Sequence, residues 1–212
     1  MALRYFLDVG LHGDLRDSFC LSEALAAIHS TNRSIGVIDS EGGYPLGLSF
    51  PFWVDPKFHA TRMMGFGNVG PVVRSVSQSR EPLQALLASS RLGQLVSIGE
   101  ASFGSISEIP ASITKWVAFC RASDGEAKLG SRARRHARRL AERSAESVQL
   151  PRDQAEKGPR EIGYVKIPLR SASTVQHFER PVRRFFFESS RKSQPCFDSW
   201  GLCKIGGAIP VF

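Results

Sequence analysis

A strongly basic segment with an uninterrupted helical pattern is the feature that most constrains how this chain can fold. Residues 128–143, KLGSRARRHARRLAER, hold six arginines and one lysine against a single glutamate. Ser131 is a candidate helix N-cap, and neither glycine nor proline follows it until Pro151. We therefore predict one helix over residues 132–150, in which most of the positive charge falls in the first three turns.

Acidic partners one turn away are nearly absent in this predicted helix, which has only Glu142 and Glu146, so most of its arginines are not neutralised within it. Its apolar stripe contains Ala133, Ala137 and Leu140, and the arginines occupy the neighbouring faces. Guanidinium groups form paired hydrogen bonds with phosphates and with guanine edges, which lysine does not do. The pattern favours a nucleic-acid ligand, and a solvated helix face is the alternative that charge alone leaves open.

The net charge of +8 is concentrated in the C-terminal part of the chain. Residues 1–127 carry 10 basic and 12 acidic side chains, a net of −2, whereas residues 128–212 carry 18 and 8, a net of +10. This asymmetry predicts a polyanion bound by the C-terminal part. A membrane surface is a weaker candidate, because the basic helix has alanines where membrane-seeking helices have Leu, Phe and Trp.

Composition predicts a globular protein of the cytoplasm. Of the 212 residues 42% are hydrophobic, and three are tryptophans. No apolar run reaches about 18 residues, the length expected of a membrane span, and the N-terminus lacks a signal-peptide pattern. The four cysteines show no CxxC spacing, which is typical of reduced thiols.

The order of predicted elements indicates an α+β fold with two domains. For residues 1–120 we predict strands at 3–9, 33–39, 71–77, 95–98 and 114–121, helices at 21–30 and 81–89, and a possible edge strand at 48–54. The order β-α-β-β-α-β-β is that of a ferredoxin-like (RRM-like) domain. For residues 121–212 we predict a second domain with the arginine-rich helix and a small antiparallel sheet, from strands at 164–169, 183–188 and 197–203; the resemblance described below implies that this domain binds an RNA hairpin.

The sequence offers no pattern for a metal or a cofactor. The five histidines lie far apart, and there is no HExxH motif, Cys/His cluster or Walker loop. Catalysis on nucleic acid would then use an internal nucleophile, which RNA provides in its 2′-hydroxyl, with histidine as the usual base near neutral pH. His29 ends a predicted helix, where spacing alone favours a structural role on the terminal carbonyls over a catalytic one, and His177 fits packing as well as chemistry.

The C-terminal motifs resemble those of one family. RSASTVQHF at residues 170–178, followed by a strand and then WGLCKIGG at 200–207, is similar to the type I-F CRISPR repeat-RNA (pre-crRNA) endoribonucleases, which cut precursor CRISPR RNA within each repeat. The resemblance is good over 121–140 and 163–212 and fair over 1–50. Over 51–113 only the order of elements corresponds. His29 and the arginine-rich segment match the family's catalytic histidine and arginine-rich helix in position.

The resemblance implies catalytic roles for His29 and Ser171. Ser171 would hold the 2′-hydroxyl beside the scissile phosphate and His29 would take its proton, which leaves a 2′,3′-cyclic phosphate without a metal or cofactor. Phe178 would stack on the terminal base pair of the hairpin. Trp200 stands where the family has a tyrosine, and Ser123 where it has a glutamine. The RNA-binding positions it implies are Arg121, Ser123, Arg132, Arg134, Arg135, Arg138, Arg139, Arg143, Arg170, Ser173, Thr174 and Phe178.

Taken together, the charge pattern and the resemblance predict a metal-independent endoribonuclease. It would recognise the CRISPR repeat hairpin, cut at the 3′ foot of the stem and stay bound to the mature crRNA as a subunit of a type I-F effector complex, away from any membrane. The alternative is a non-catalytic RNA-binding subunit that caps the guide-RNA hairpin. A general basic RNA-associated protein would explain the charge but not the joint presence of His29, Ser171 and Phe178.

Overall fold

A computed structural model gives the fold of the chain. It describes residues 3–12, 18–38, 42–53, 69–113, 115–121, 165–170, 176–187, 196–204 and 208–212, with Ser18, His177 and Phe187 described in the backbone alone. The predicted arginine-rich helix and the polar residues that follow it therefore lie outside the described part of the chain.

The described elements are nine strands and three helices, an α+β fold. The strands are β1 (Tyr5–Leu11), β2 (Gly47–Ser49), β3 (Val72–Ser77), β4 (Ala101–Phe103), β5 (Ser107–Glu108), β6 (Lys115–Arg121), β7 (Val165–Arg170), β8 (His177–Phe187) and β9 (Ile209–Val211). The helices are α1 (Ser18–Ile35), α2 (Glu81–Leu87) and α3 (Ser90–Ser97).

Two antiparallel sheets divide these strands. The first has the order β2-β3-β1-β4, with β5 paired to the other end of β1, and its central pair places Tyr5 opposite Ser77 and Val9 opposite Val73. The second has the order β7-β8-β6-β9, with Leu169 opposite Phe178. Residues that lie directly opposite each other on paired strands have their side chains on the same face of the sheet. Leu169 and Phe178 therefore share one face of the second sheet.

Helix α1 packs against both sheets, and one hydrophobic core runs through all of them. Leu21, Leu25 and Ile28 recur at helical spacing along α1 and are fully buried, as the sequence pattern predicts. Where the sheets meet, Phe50 and Trp53 pack around Phe119 of β6, with ring centroids 5.2 and 5.3 Å from it. Helix α1 is therefore fixed relative to both the first sheet and strand β7.

Four predicted elements are wrong or misplaced. The strand predicted at 33–39 is absent from its described residues, since α1 continues to Ile35 and Gly36 follows it with a φ of 90°, typical of a helix C-cap glycine. Residues 95–97 are the end of helix α3 and Ile98 is its C-cap; a short apolar run of this kind fits either a buried helix or a strand. Strand β6 was predicted for the N-terminal sheet and lies in the second one. Residues 197–203 form a turn closed by a single bridge between Phe197 and Cys203.

Within the described residues, the other predicted strands and helices are confirmed with shifted bounds, and the edge strand at 48–54 ends at Ser49, before Pro51. The predicted helix over residues 132–150 stays a prediction. The ferredoxin-like description and the division at residue 120 stay predictions. All four cysteines are thiols. None of the helices in the described part of the chain is long and apolar enough to cross a membrane.

Candidate active site

His29 lies inside helix α1 and not in its last turn, which corrects the sequence prediction. Six further helical residues follow it, and the buried Asn32 holds this extension in place. The Asn32 amide Nδ2 donates to the carbonyl oxygens of Leu46 (3.1 Å) and Ser199 (3.2 Å), and its Oδ1 accepts from the Leu46 N–H (3.0 Å). The helix-end role for His29 is therefore excluded, because the carbonyls near it are inside the helix.

The turn opposite His29 is formed by residues 198–202. Asp198 Oδ1 accepts from the backbone N–H groups of Trp200 (2.8 Å) and Leu202 (3.0 Å), and Gly201 adopts a φ of 80°. An aspartate that bonds the backbone two residues on and a glycine with positive φ are the ordinary chemistry of a tight turn. The Gly201 carbonyl oxygen also accepts from Leu48 N–H (2.7 Å), which attaches the turn to β2.

This turn holds His29 by one hydrogen bond and one ring contact. His29 Nδ1 lies 3.3 Å from the carbonyl oxygen of Ser199. On the ring face, the indole of Trp200 stacks on the imidazole with a centroid distance of 4.0 Å and an angle of 7°. The bond fixes the rotation of the ring about its own axis and the stack fixes its plane, so the imidazole has one defined orientation.

Phe178 and Arg180 extend the same cluster from strand β8. The Phe178 ring meets Trp200 edge-on, with centroids 5.9 Å apart and an interplanar angle of 85°. The guanidinium carbon of Arg180 lies 5.7 Å from the Phe178 ring centroid and 6.0 Å from that of Trp200. Aromatic faces attract cations at this range. Phe178 is partly buried against the core and partly open to solvent.

Burial lowers the pKa of His29 below the ordinary value for histidine, because the imidazolium ion loses solvation there. The bond to the Ser199 carbonyl and the charge of Asp198 act in the opposite direction, and the positive charges of Arg33 and Arg180 add to the lowering. Asp198 itself has a raised pKa because it is buried, although the two backbone N–H groups it binds partly offset this. The net result is that His29 is neutral over a wider pH range than an exposed histidine.

Arg170 and Arg121 are the last residues of two strands that flank β8 in the second sheet. Arg170 is the last residue of β7, and its Nη1 donates to Glu23 Oε1 at 2.7 Å. Arg121 is the last residue of β6 and is exposed. Its charge lowers the pKa of Arg180, although burial of Arg180 is the larger cause of that lowering. Both predicted RNA-binding arginines of the described part thus lie at strand ends near α1 or β8.

Four of the predicted site residues are therefore described by the structure: His29, Phe178, Arg170 and Arg121. The others lie outside the described residues: Ser171, Ser123, Arg132, Arg134, Arg135, Arg138, Arg139, Arg143, Ser173 and Thr174. Among the described residues, no group of three His, Cys, Asp or Glu side chains is placed to bind a metal ion.

Sequence reasoning missed Asn32, Asp198, Arg180 and the stacking role of Trp200. The turn was detectable, because an aspartate followed three residues later by glycine in DSWG is a β-turn signature. Asn32 and Arg180 gave no signal, because Asn32 bonds residues 14 or more positions away and Arg180 approaches Trp200, 20 positions away.

A family model described as "CRISPR-associated protein (Cas_Csy4)" matches residues 7–212. A comparison with curated proteins finds no match. One solved structure, of a RAMP protein that binds different RNA substrates, is 12% identical over the full length of both chains, with a TM-score of 0.39. The match to the family model spans His29, the 198–202 turn and all the strands of the second sheet, and on it the chain belongs to the Cas_Csy4 family, the type I-F endoribonucleases that process CRISPR repeat RNA.

Proposed function

We propose that this chain is a metal-independent endoribonuclease that cleaves precursor crRNA at the 3′ foot of the repeat hairpin. It leaves a 2′,3′-cyclic phosphate, keeps the mature crRNA and serves as a subunit of a type I-F effector complex in the cytoplasm. The observation that carries the proposal is the hydrogen bond between His29 Nδ1 and the Ser199 carbonyl oxygen, 3.3 Å long.

A carbonyl oxygen only accepts hydrogen bonds, so the proton in this contact belongs to His29 Nδ1. Burial lowers the pKa of His29, and at any pH above that pKa the imidazole is neutral and the other ring nitrogen, Nε2, carries a lone pair and no proton. An imidazole in this form, fixed by the Trp200 stack, is a general base.

The reaction follows from this tautomer. Nε2 of His29 removes the proton of the 2′-hydroxyl before the scissile phosphate. The resulting oxygen attacks the adjacent phosphorus, and the bond from phosphorus to the 5′-oxygen of the next nucleotide breaks as that oxygen gains a proton. The products are a 2′,3′-cyclic phosphate and a 5′-hydroxyl. Ser171, the next residue after Arg170, would hold the 2′-hydroxyl by hydrogen bonding.

RNA binding is proposed for the remaining positions. Phe178, partly exposed beside Trp200, would stack on the terminal base pair of the stem. Arg121 would pair with a guanine edge, with Ser123 beside it. The arginines of residues 132–143 would contact the hairpin's phosphates, and Arg170, Ser173 and Thr174 the backbone around the cut.

The test is incubation of purified protein with a labelled repeat hairpin from its own locus in the presence of EDTA. We expect one cut at the 3′ foot of the stem, abolished by His29→Ala with little loss of hairpin binding. His12→Ala is the matched control, because His12 is exposed and its Nε2 lies 2.7 Å from Ser102 Oγ at the edge of the first sheet. A 2′-deoxy nucleotide before the cut should block cleavage.

Three results would contradict parts of this proposal. Inhibition by EDTA would exclude a metal-free reaction. Retained cleavage by His29→Ala would remove its role as the base. Tight hairpin binding without a cut by the unsubstituted protein would favour the alternative, a non-catalytic subunit that caps the guide-RNA hairpin.

A further inference from the structure

A buried carboxylate on α1 binds two arginines from different elements. Glu23 has a side chain only 8% exposed. Its Oε1 accepts from Arg170 Nη1 and its Oε2 accepts from Arg91 Nη1, each at 2.7 Å. Each carboxylate oxygen thus has its own guanidinium partner, in the short geometry typical of charge-assisted hydrogen bonds.

Glu23 stays ionised in this arrangement. Burial alone would raise its pKa, but hydrogen bonds from Arg170 and Arg91, together with their charges, lower it below the ordinary value for glutamate. The three side chains carry a net charge of +1, so the carboxylate neutralises one guanidinium and holds both. Removal of the carboxylate would leave two partly buried arginines facing each other.

The two arginine partners of Glu23 belong to different elements of the fold. Arg91 is in helix α3, which packs on α1. Arg170 ends strand β7, and the next residue in the chain is Ser171. Glu23 lies six residues before His29 in the same helix, about 9 Å along its axis. The ion pair between Glu23 and Arg170 therefore connects α1, the helix that carries His29, to the end of β7 that precedes Ser171.

We infer that Glu23 is a positioning residue for cleavage, which fixes the end of β7 against α1 through Arg170. This inference rests on the proposed function and adds to it a residue that does not touch the RNA. The end of an edge strand has neighbours on one side only, so its position depends on few contacts. An ion pair to a rigid helix supplies one of them and is present before RNA binds.

Two double-mutant cycles that share Glu23 test the inference. One combines Glu23→Gln with Arg170→Gln, and the other combines Glu23→Gln with Arg91→Gln. Each variant is measured for thermal midpoint, for hairpin Kd and for the single-turnover cleavage rate at saturating protein with the repeat hairpin. The two pairs have equal bond lengths and the same acid, so each cycle is the control for the other.

We expect the thermal midpoints to show coupling in both cycles. The saturated cleavage rate should fall about tenfold in Glu23→Gln, because misplacement of a catalytic group by a fraction of an ångström has effects of this size. Arg170→Gln should lower that rate by a smaller factor in the Glu23→Gln protein than in the unsubstituted one, because the ion pair is already lost there. Arg91→Gln should leave that rate within about twofold and show no coupling with Glu23 in it. A purely structural ion pair would change the thermal midpoint and leave the saturated rate unchanged.

The inference is overturned if the saturated rate of Glu23→Gln is that of the unsubstituted protein, or if the Glu23 and Arg170 effects on that rate multiply independently. Equal coupling of Arg91 and Arg170 in the rate would also overturn it, because the effect would then belong to α1 as a whole. Failure of the unsubstituted protein to cleave is a separate result, which removes the proposed function and this inference with it.

Discussion

At the scale of single residues, the chemistry of His29 is set by two neighbours in one turn. The Ser199 carbonyl oxygen assigns the ring proton to Nδ1, and the Trp200 indole covers one ring face. A tyrosine, which the resemblance places at position 200, brings a hydroxyl; the tryptophan here brings a larger stacking surface instead. Orientation of the base therefore depends on a ring contact and a backbone acceptor, and neither of these titrates.

The pH dependence of cleavage should reveal the lowered pKa of His29. A general base must be unprotonated, so kcat/KM should rise with pH through the pKa of free-protein His29 and level off above it. Because burial lowers that pKa, the midpoint should lie below about 6.5, the ordinary value for histidine. Measurement of kcat/KM between pH 4.5 and pH 8, in a range of buffers of constant ionic strength on the order of 0.1 M, checks this.

Substitution at Trp200 separates burial from other causes of this shift. Trp200→Ala exposes the imidazole, so the pKa of His29 should rise and the midpoint of kcat/KM should move to higher pH. Trp200→Tyr keeps a stacked ring and should leave the midpoint near that of the unsubstituted protein. A midpoint that is the same in all three proteins would assign the titration to another group.

At the scale of elements, the site depends on the attachment of helix α1 to the 198–202 turn. Asn32 makes this attachment, because its amide donates to Ser199 and Leu46 and accepts from Leu46. The same Ser199 carbonyl oxygen is therefore held by Asn32 and used by His29. The acceptor that orients the base is itself fixed by a residue one turn further along the helix.

Asn32→Ala should destabilise the protein by about 3 kcal/mol, because it leaves the Leu46 N–H and the Leu46 carbonyl without a side-chain partner in a buried place and removes one of the two donors to the Ser199 carbonyl. Urea unfolding followed by circular dichroism measures the loss. Ser34→Ala is the control, since Ser34 is an exposed residue of the same helix and its substitution should cost no more than about 0.5 kcal/mol. Equal losses for the two variants would show that the attachment does not stabilise the fold.

Local patterns predicted the elements well where burial has a simple period. The apolar spacing of Leu21, Leu25 and Ile28 predicted α1, and the alternation along residues 3–9 predicted β1, which the structure has at Tyr5–Leu11. The end of α1 was not predictable, because the bonds of Asn32 to a loop and a distant turn extend it. The sheet to which β6 belongs was also not predictable, because its partner strands β8 and β9 come more than 50 residues later in the chain.

The candidate site was predicted in part. The motif around residues 170–178 and the helical position of His29 indicated the base and its region, but the bond that sets its tautomer involves a backbone carbonyl 170 residues away. Glu23 gave no signal at all, because a glutamate among apolar residues of a helix is ordinary until its two arginine partners are known. Long-range polar contacts have no period in the sequence, so patterns cannot reveal them.

At the scale of the whole molecule, charge separates the chain into two parts. Residues 1–127 have a net charge of −2 and residues 128–212 a net of +10. In the N-terminal part, ion pairs such as that between Arg74 and Asp8 (2.7 Å) neutralise the charge of the arginines that form them. An RNA ligand should therefore be attracted to the C-terminal part, and the attraction should weaken as salt is added.

The salt dependence of hairpin binding tests this division. Each phosphate that a protein neutralises contributes about 0.7 to 0.9 to the slope of log K against log salt concentration, because counterions are released. Replacement of Arg138 and Arg139 by alanine should therefore weaken binding and reduce that slope by about 1.4 to 1.8. Replacement of Arg4 and Arg80, two exposed arginines of the N-terminal part, removes the same formal charge and is the matched control.

The measurement is hairpin affinity between about 0.05 and 0.3 M salt, and the slope should change only for the Arg138 and Arg139 pair. An equal change for both pairs would mean that net charge alone attracts the RNA, and an unchanged slope for Arg138 and Arg139 would place the phosphate contacts on another surface.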